Sequence, residues 1–124
     1  MKTIIKTPNA PAPIGPYSQA VMYNGTLYGS GQIAINPRTG DVVLGSIEEE
    51  TTMVMENIKA VLSAADMDFV NIIKVSIFLK DMNNFAKMNE VYGTYFKDKF
   101  PARETVQVSR LPKDVNIEIS FVAA

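Results

Sequence analysis

Two charged side chains in the last quarter of the chain have types that suit work on a small anion. Arg103 follows Phe-Pro-Ala and leads into an alternating stretch, and Glu118 lies between two isoleucines of a later one. A guanidinium stays protonated and presents a fork that matches a carboxylate with two parallel hydrogen bonds. A glutamate can orient a water or take a proton. Arg103 is therefore a candidate for carboxylate binding and Glu118 a candidate for acid–base chemistry, although most single arginines and glutamates have only structural or solvated roles.

The sequence contains no histidine and no cysteine. The absence of histidine removes the commonest general base and metal ligand, and the absence of cysteine removes thiolate nucleophiles, thiolate ligands and disulfides. Glutamate and aspartate are therefore the leading candidates for acid–base work, with tyrosine and lysine behind them. We expect a function that needs no cofactor and no metal.

Four further residues are candidates for the wall of a pocket. Tyr17 follows a Gly-Pro pair, Ser30 can donate a hydrogen bond, and Gly31 lets the backbone approach a ligand closely. Asn89 lies out of phase with the apolar stripe of its predicted helix. Taken singly, these residues fit a turn, a strand end and an exposed helix position equally well. No phosphate loop or dinucleotide fingerprint accompanies them.

Composition sets the class of protein to which these residues belong. The chain has 124 residues, of which 47% are hydrophobic and 20% charged, which predicts one globular domain over residues 1–124. The net charge of −1 gives no support to nucleic-acid binding. No apolar run approaches the length of a membrane span and the N-terminal stretch does not resemble a signal peptide, so we expect no membrane association and a cytoplasmic location.

Apolar periodicity predicts six strands and two helices in the order ββ(β)αβαββ. Asn24-Gly25 between two apolar runs predicts a hairpin, and Ser46 with Glu49 predicts a capping box at the start of the first helix. Several strands must be antiparallel neighbours, the two strands of this hairpin among them, but the full strand order does not follow from the sequence. The predicted strands span 3–6, 20–23, 26–30, 70–80, 105–109 and 115–122, and the predicted helices span 46–67 and about 83–99.

Mixed strand and helix blocks predict an α+β protein, a two-layer sandwich with both helices on one face of a mixed sheet. The other face is expected to carry Thr105, Gln107, Glu118 and Ser120, and is too polar for a core within one chain. Such a face is either solvated or packed against another subunit.

Seven separate stretches, in this order and spacing, resemble the RidA/YjgF/UK114 family. Together they run from residue 13 to residue 119, so the resemblance covers essentially the whole chain. The stretches are PIGPYSQA (13–20), SGQI (30–33), NIKAVLSAA (57–65), KVSIFLKDM (74–82), MNEVYGTYF (88–96), FPAR (100–103) and RLPKDVNIEI (110–119).

The resemblance implies a chorismate-mutase-like fold and a homotrimer whose subunits meet through the semi-polar sheet face, around a barrel-like interface with a site in each cleft. It also implies hydrolysis of reactive 2-imino acids, released by pyridoxal-phosphate enzymes, to 2-keto acids and ammonia. Arg103 matches the residue that binds the substrate carboxylate, and Glu118 matches the glutamate associated with the attacking water. The remaining matches to the binding pocket are Tyr17, Ser30, Gly31, Asn89 and the backbone at Thr105.

Three positions depart from the usual pattern of the family. Glu104 stands where many relatives carry a small hydroxyl residue, Thr105 where some carry cysteine, and Ser120 where some carry a second acidic residue. These differences bear on the polarity of the pocket and on substrate preference. An alternative function is also open, namely a trimer that binds small carboxylates without turnover, although carboxylate binding alone does not require Glu118.

Overall fold

The computed structural model describes residues 1–124, which form a six-stranded mixed sheet with two α-helices packed on one face. The strand order is β1-β2-β3-β6-β4-β5, in which only β4 and β5 pair in parallel. The predicted α+β class is confirmed. The strands are β1 (Thr3–Ile5), β2 (Ala20–Tyr23), β3 (Thr26–Gln32), β4 (Ile72–Leu79), β5 (Ala102–Gln107) and β6 (Ile117–Ala123), and the helices are α1 (Ile47–Ala64) and α2 (Phe85–Gly93).

The predicted hairpin joins β2 to β3. Asn24 and Gly25 both adopt positive φ, at 50° and 78°, between the paired residues Tyr23 and Thr26. A two-residue turn of this kind matches the right-handed twist of the strands, and few residues other than Asn and Gly tolerate it. The hairpin prediction is confirmed.

Helix α1 begins where the sequence indicated. The Ser46 side chain accepts a hydrogen bond from the Glu49 backbone N–H at 3.1 Å, which satisfies one of the free donors of the first turn. The apolar stripe includes Val54, Ile58 and Leu62, all fully buried, and each such side chain contributes roughly 1.5–3 kcal/mol. Glu50 lies in the first turn of the helix and is completely buried.

Helix α2 is shorter than predicted and ends at Gly93 instead of near residue 99. Beyond it, Tyr95 and Phe96 pack on Phe69 with ring centroids 5.0 and 5.7 Å apart. Both aromatic residues therefore keep contact with the core after the helix has ended. Helical spacing in the sequence cannot distinguish this packed turn from a further helical turn.

Strand β5 begins earlier than predicted, so Arg103 lies within the strand and not at its mouth. In β4, the pairing with β6 shifts register between Ile72 and Lys74. Ile73 falls at this irregularity and is 53% exposed, whereas simple alternation along the strand would place its side chain on the buried face of Val75. A bulge adds one residue to a strand and thereby displaces side chains from simple alternation.

The main core lies between the sheet and the two helices. A second, smaller apolar cluster covers part of the opposite sheet face, where Ile33, Ile35, Leu111 and Val115 pack with Phe78. The rest of that face remains accessible in the chain by itself. Neither helix is long and apolar enough to cross a membrane.

Candidate functional site

Arg103 and Glu118 lie on opposite faces of the sheet. Arg103 is paired with Val75, whose side chain is buried under the helices, so Arg103 lies on the helix side. Glu118 is paired with Phe78 and lies on the opposite side. Within one chain the two side chains therefore cannot act on the same small molecule.

The same register corrects the predicted composition of the semi-polar face. Thr105 is paired with Ile77 and Gln107 with Leu79, and both partners are buried in the main core. Thr105 and Gln107 therefore lie on the helix side, away from Glu118. Alternation shows which residues of one strand share a face, but the side of the sheet depends on pairing with distant strands.

The guanidinium of Arg103 is held by side chains of α2. It donates a hydrogen bond to Asn89 Oδ1 at 2.8 Å. Its Cζ atom lies 5.6 Å from the ring centroid of Phe85 and 5.0 Å from that of Tyr92. Cation–π contacts of this kind orient a guanidinium while they leave most of its N–H groups free. No carboxylate of the chain forms an ion pair with Arg103.

We call the cleft in front of this guanidinium the arginine pocket. Its volume is about 360 Å³. Burial raises the pKa of the Tyr92 hydroxyl, and the charge of Arg103 partly opposes that rise. The Tyr92 hydroxyl and Thr105 Oγ1 are both buried without a hydrogen-bond partner. The pocket is lined by Asn89, Tyr92, Gly93, Phe100, Pro101 and Arg103.

The unpaired hydroxyl of Tyr92 leads to a prediction about the stability of the fold. Tyr92→Phe is expected to raise the free energy of unfolding by about 1 kcal/mol, because a buried hydroxyl without a partner costs free energy in the folded state. Tyr95→Phe is the matched control, since its hydroxyl donates to Glu56 at 2.7 Å and its removal should lower stability. Urea unfolding of both variants checks the difference. Equal destabilisation by the two would show that the Tyr92 hydroxyl has a partner in solution.

Glu118 lies directly over Gly31 on the opposite face. A Cβ atom at position 31 would stand only 2.7 Å from the Glu118 carboxyl carbon. Burial raises the pKa of Glu118 above its ordinary value. A carboxyl group packed on bare backbone and half shielded from water is suited to hold and release a proton at higher pH than an exposed one. We call Glu118 and Gly31 the glutamate site.

The segment that carries Gly31 is a bulge. Strand β3 pairs with β6 through Gly29 and Phe121, then through Gln32 and Ile119, so β3 has one more residue than β6 between these pairs. Bulges redirect a strand locally and are frequent next to functional sites. This extra residue allows the backbone at Gly31 to lie beneath Glu118.

Ser30 lies next to Gly31 in β3, and Tyr17 lies in the loop before β2. Ser30 Oγ donates a hydrogen bond to the carbonyl of Ser18 at 2.5 Å and so fixes the loop that precedes β2. Tyr17 is 46% exposed, and its hydroxyl accepts a hydrogen bond from the backbone of Ile14 at 3.3 Å. The Ser30 hydroxyl thus has a structural partner, whereas the Tyr17 ring remains accessible.

Gly31 provides a second prediction. Gly31→Ala is expected to lower the free energy of unfolding by about 1–3 kcal/mol, since the new methyl group must displace the Glu118 carboxyl group. Gly93→Ala is the control, because no atom lies within 4 Å of the added Cβ and alanine favours the helix. Denaturant titration compares the two. A neutral Gly31→Ala would mean that Glu118 moves aside freely.

Glu104, although adjacent to Arg103 in sequence, does not line the arginine pocket. Its carboxylate accepts hydrogen bonds from Lys74, at 2.8 Å, and from the Ser76 hydroxyl, and these bonds lower its pKa. Lys74 and Ser76 pair with Val122 and Ser120 of β6 on the side of Glu118. Glu104 therefore lies away from the arginine pocket of its own chain and on the face of Glu118, and its effect on the polarity of the pocket stays a prediction.

Sequence reasoning missed the aromatic walls of the arginine pocket. Tyr92 and Phe100 line this pocket and Phe85 lies against the guanidinium, whereas helical spacing alone indicates only that Phe85 and Tyr92 belong to the apolar stripe of α2. Helical spacing identifies the apolar stripe of α2 but not the pocket, because residues at the edge of such a stripe also contact the space beside the helix. No group of three or more acidic side chains lies close enough together to hold a metal ion.

Comparisons with known proteins cover almost the entire chain. A family model described as Endoribonuclease L-PSP matches residues 7–124. A RutC family protein of Pyrococcus horikoshii is 57% identical over 123 residues, which are 99% of this chain and 98% of that protein. A human protein named 2-iminobutanoate/2-iminopropanoate deaminase is 46% identical over 123 residues, 99% of this chain and 90% of that protein.

The fold has an equally close match among solved structures. A crystal structure from Yersinia pestis, described as a protein of unknown function of the conserved Rid protein family, superposes with a TM-score of 0.98 at 50% identity. The match covers 100% of this chain and 99% of that one. The similarity therefore includes the strands that carry Arg103 and Glu118.

Proposed function

Because the chain belongs to the RidA/YjgF/UK114 family, we propose that it is a 2-imino acid deaminase that forms 2-keto acids and ammonia. Its substrates would be the imines or enamines that pyridoxal-phosphate enzymes release, such as 2-iminobutanoate and 2-iminopropanoate. The observation that carries this proposal is an arginine oriented by two aromatic rings and Asn89, with no carboxylate of its own chain. The human relative that bears the deaminase name supports it.

The proposal requires at least two subunits for each site. Arg103 faces the helix side of its own sheet and Glu118 the other, so the two meet only if the arginine pocket of one subunit faces the glutamate site of the next. Tyr28 and Val106, which pair with Val122 and Phe78 on the face of Glu118, are 51% and 42% exposed. A homotrimer with one site in each cleft satisfies this geometry and covers these apolar side chains.

The chemistry needs three contributions from the protein. Arg103 holds the substrate carboxylate, and a charge-assisted hydrogen bond of this type contributes roughly 1.5–3 kcal/mol. Glu118 orients a water toward the C=N carbon and accepts its proton as the new C–O bond forms. Glu118 then returns the proton to nitrogen, the C–N bond breaks, and ammonia leaves while Glu118 accepts the hydroxyl proton as the C=O group forms; transfer of this proton to the departing ammonia restores the carboxylate. A protonated imine is already electrophilic, so positioning and proton transfer supply the remaining catalysis.

Ribonuclease activity, which the name of the family model suggests, finds no support in the charge of the chain. Nucleic-acid binding depends on clusters of lysine and arginine that neutralise phosphates. Here twelve basic residues are balanced by thirteen acidic ones. Salt-sensitive binding of RNA by the purified protein would count against this judgement.

A coupled assay tests the proposed activity. A threonine dehydratase generates the imine, and the decay of the imine is followed with and without the protein. We expect faster decay with catalytic amounts of the protein. Decay no faster than in buffer would exclude the deaminase. If calorimetry still detects binding of 2-oxobutanoate in that case, the alternative of a non-catalytic carboxylate-binding protein is favoured.

A further inference from the structure

Helix α1 carries two buried polar side chains that the proposed reaction does not use. Glu50 is fully buried and Asn57 is 1% exposed. They are seven residues apart, two helical turns, and so lie on the same face of the helix. Polar groups in such positions are costly unless their hydrogen bonds are satisfied. Both form hydrogen bonds, Glu50 with Asn116 and Asn57 with backbone carbonyls beyond Gly31, and these partners flank the glutamate site.

Glu50 holds the chain immediately before β6. One carboxylate oxygen accepts the backbone N–H of Asn116 at 3.3 Å, and the other accepts Asn116 Nδ2 at 2.6 Å. On the other side, the Asn116 carbonyl accepts the backbone N–H of Lys80 at 3.0 Å. Asn116 is therefore fixed from both directions. Glu118 follows two residues later along an extended strand.

Asn57 holds the chain immediately after the bulge in β3. Its Nδ2 group donates to the carbonyl of Ile35 at 2.9 Å and to that of Ile33 at 3.3 Å. Gly31 precedes Ile33 by two residues and lies in the irregular part of the β3–β6 pairing. Regular strand pairing is interrupted at Gly31 and resumes at Gln32, so the bonds of Asn57 hold the chain directly after the irregular part.

We infer that Glu50 and Asn57 are positioning residues that fix Glu118 against Gly31. The inference rests on the proposed function, in which Glu118 directs a water at the substrate. Neither side chain lines the arginine pocket, so their effect should fall on turnover and not on carboxylate binding. One buried face of α1 thereby positions both strands that form the glutamate site, β3 and β6.

A purely structural role is the competing explanation, and Thr51 offers a matched control for it. Thr51 is also fully buried on α1, but its hydroxyl donates to Ile47 within the same helix, at 2.7 Å. Thr51→Val removes a buried hydrogen bond without contact to the chain around Glu118. Any loss of function caused only by a weaker helix should appear equally in this variant.

The central experiment compares Glu50→Gln with Thr51→Val in the coupled imine assay, well below the melting temperature of either. Glutamine keeps the shape of the side chain, but its NH2 group is a hydrogen-bond donor and faces one of the donors of Asn116. Glu50→Gln is expected to lower kcat by about 10-fold or more, because small displacements of catalytic groups have such effects. KM and 2-oxobutanoate affinity should stay within about twofold, and Thr51→Val should retain the wild-type kcat. Equal values of kcat in the two variants would overturn the inference.

Amide hydrogen exchange provides a readout that does not depend on turnover. Glu50→Gln should accelerate exchange at the Glu118 amide relative to Thr51→Val, because Glu50 holds Asn116 two residues before it, whereas equal exchange would contradict the inference even if the wild type proves inactive. If the wild type proves inactive but Glu50→Gln still shows this selective increase in exchange, only the proposed function is rejected. If Glu50→Gln does not fold, Asn116→Ser removes the 2.6 Å hydrogen bond from the other side and is judged by the same criteria.

Discussion

Replacement of Glu118 by glutamine is expected to lower kcat for imine hydrolysis by about 10²–10⁴-fold, the usual contribution of a positioned acid–base group. Glutamine keeps the volume of the side chain over Gly31 but cannot take a proton from water. Binding of 2-oxobutanoate should change little, since the arginine pocket is intact. Stopped-flow decay of the imine and calorimetry measure the two quantities separately. Glu104→Gln is the control, because that carboxylate on the same face is already paired with Lys74.

The raised pKa of Glu118 adds a pH dependence to this prediction. Because the folded-state pKa lies above the unfolded value, the folded protein binds the proton more tightly, and this stabilising contribution is lost as the pH rises through the folded pKa. Glu118→Gln should therefore melt at the same or a higher temperature than the wild type at pH 7, with the difference vanishing at acid pH. A variant that is less stable at pH 7 would contradict a carboxyl group destabilised by burial.

Replacement of Arg103 by alanine is expected to weaken 2-oxobutanoate binding by about 10- to 150-fold, the equivalent of a lost charge-assisted hydrogen bond of 1.5–3 kcal/mol. Arg103→Lys keeps the charge but loses the planar fork and its stacking between Phe85 and Tyr92. It should recover only part of the affinity. Calorimetric titration of wild type and both variants checks this order. Unchanged affinity in Arg103→Ala would remove Arg103 from the site.

Mixing the two impaired variants tests whether the site is shared between subunits. After joint refolding of Arg103→Ala with Glu118→Gln in equal amounts, on the order of one quarter of the clefts should combine an intact arginine with an intact glutamate. Activity should rise toward that fraction of the wild-type value. If both groups acted within one chain, every site would lack one of them and no activity would return. Each variant refolded alone provides the baseline.

The local elements of the fold could be predicted because short-range physics determines them. The positive φ of Asn24 and Gly25, the Ser46 cap and the alternation of β6 all depend on residues within a few positions of each other. The errors arose where distant contacts compete with local preference. Helix α2 ends at Gly93, and the aromatic residues beyond it pack on Phe69, which lies more than twenty positions earlier in the chain.

In the candidate site, too, local sequence determines some features and distant contacts determine the others. The sequence by itself determined that Arg103 is a permanent cation, that Glu118 alternates with buried isoleucines, and that chemistry must proceed without histidine or cysteine. Only the tertiary structure decided that Arg103 and Thr105 lie on the side of the sheet opposite to Glu118. The physical reason is that alternation is a property of one strand, whereas the side it faces follows from its register with strands far away in the sequence.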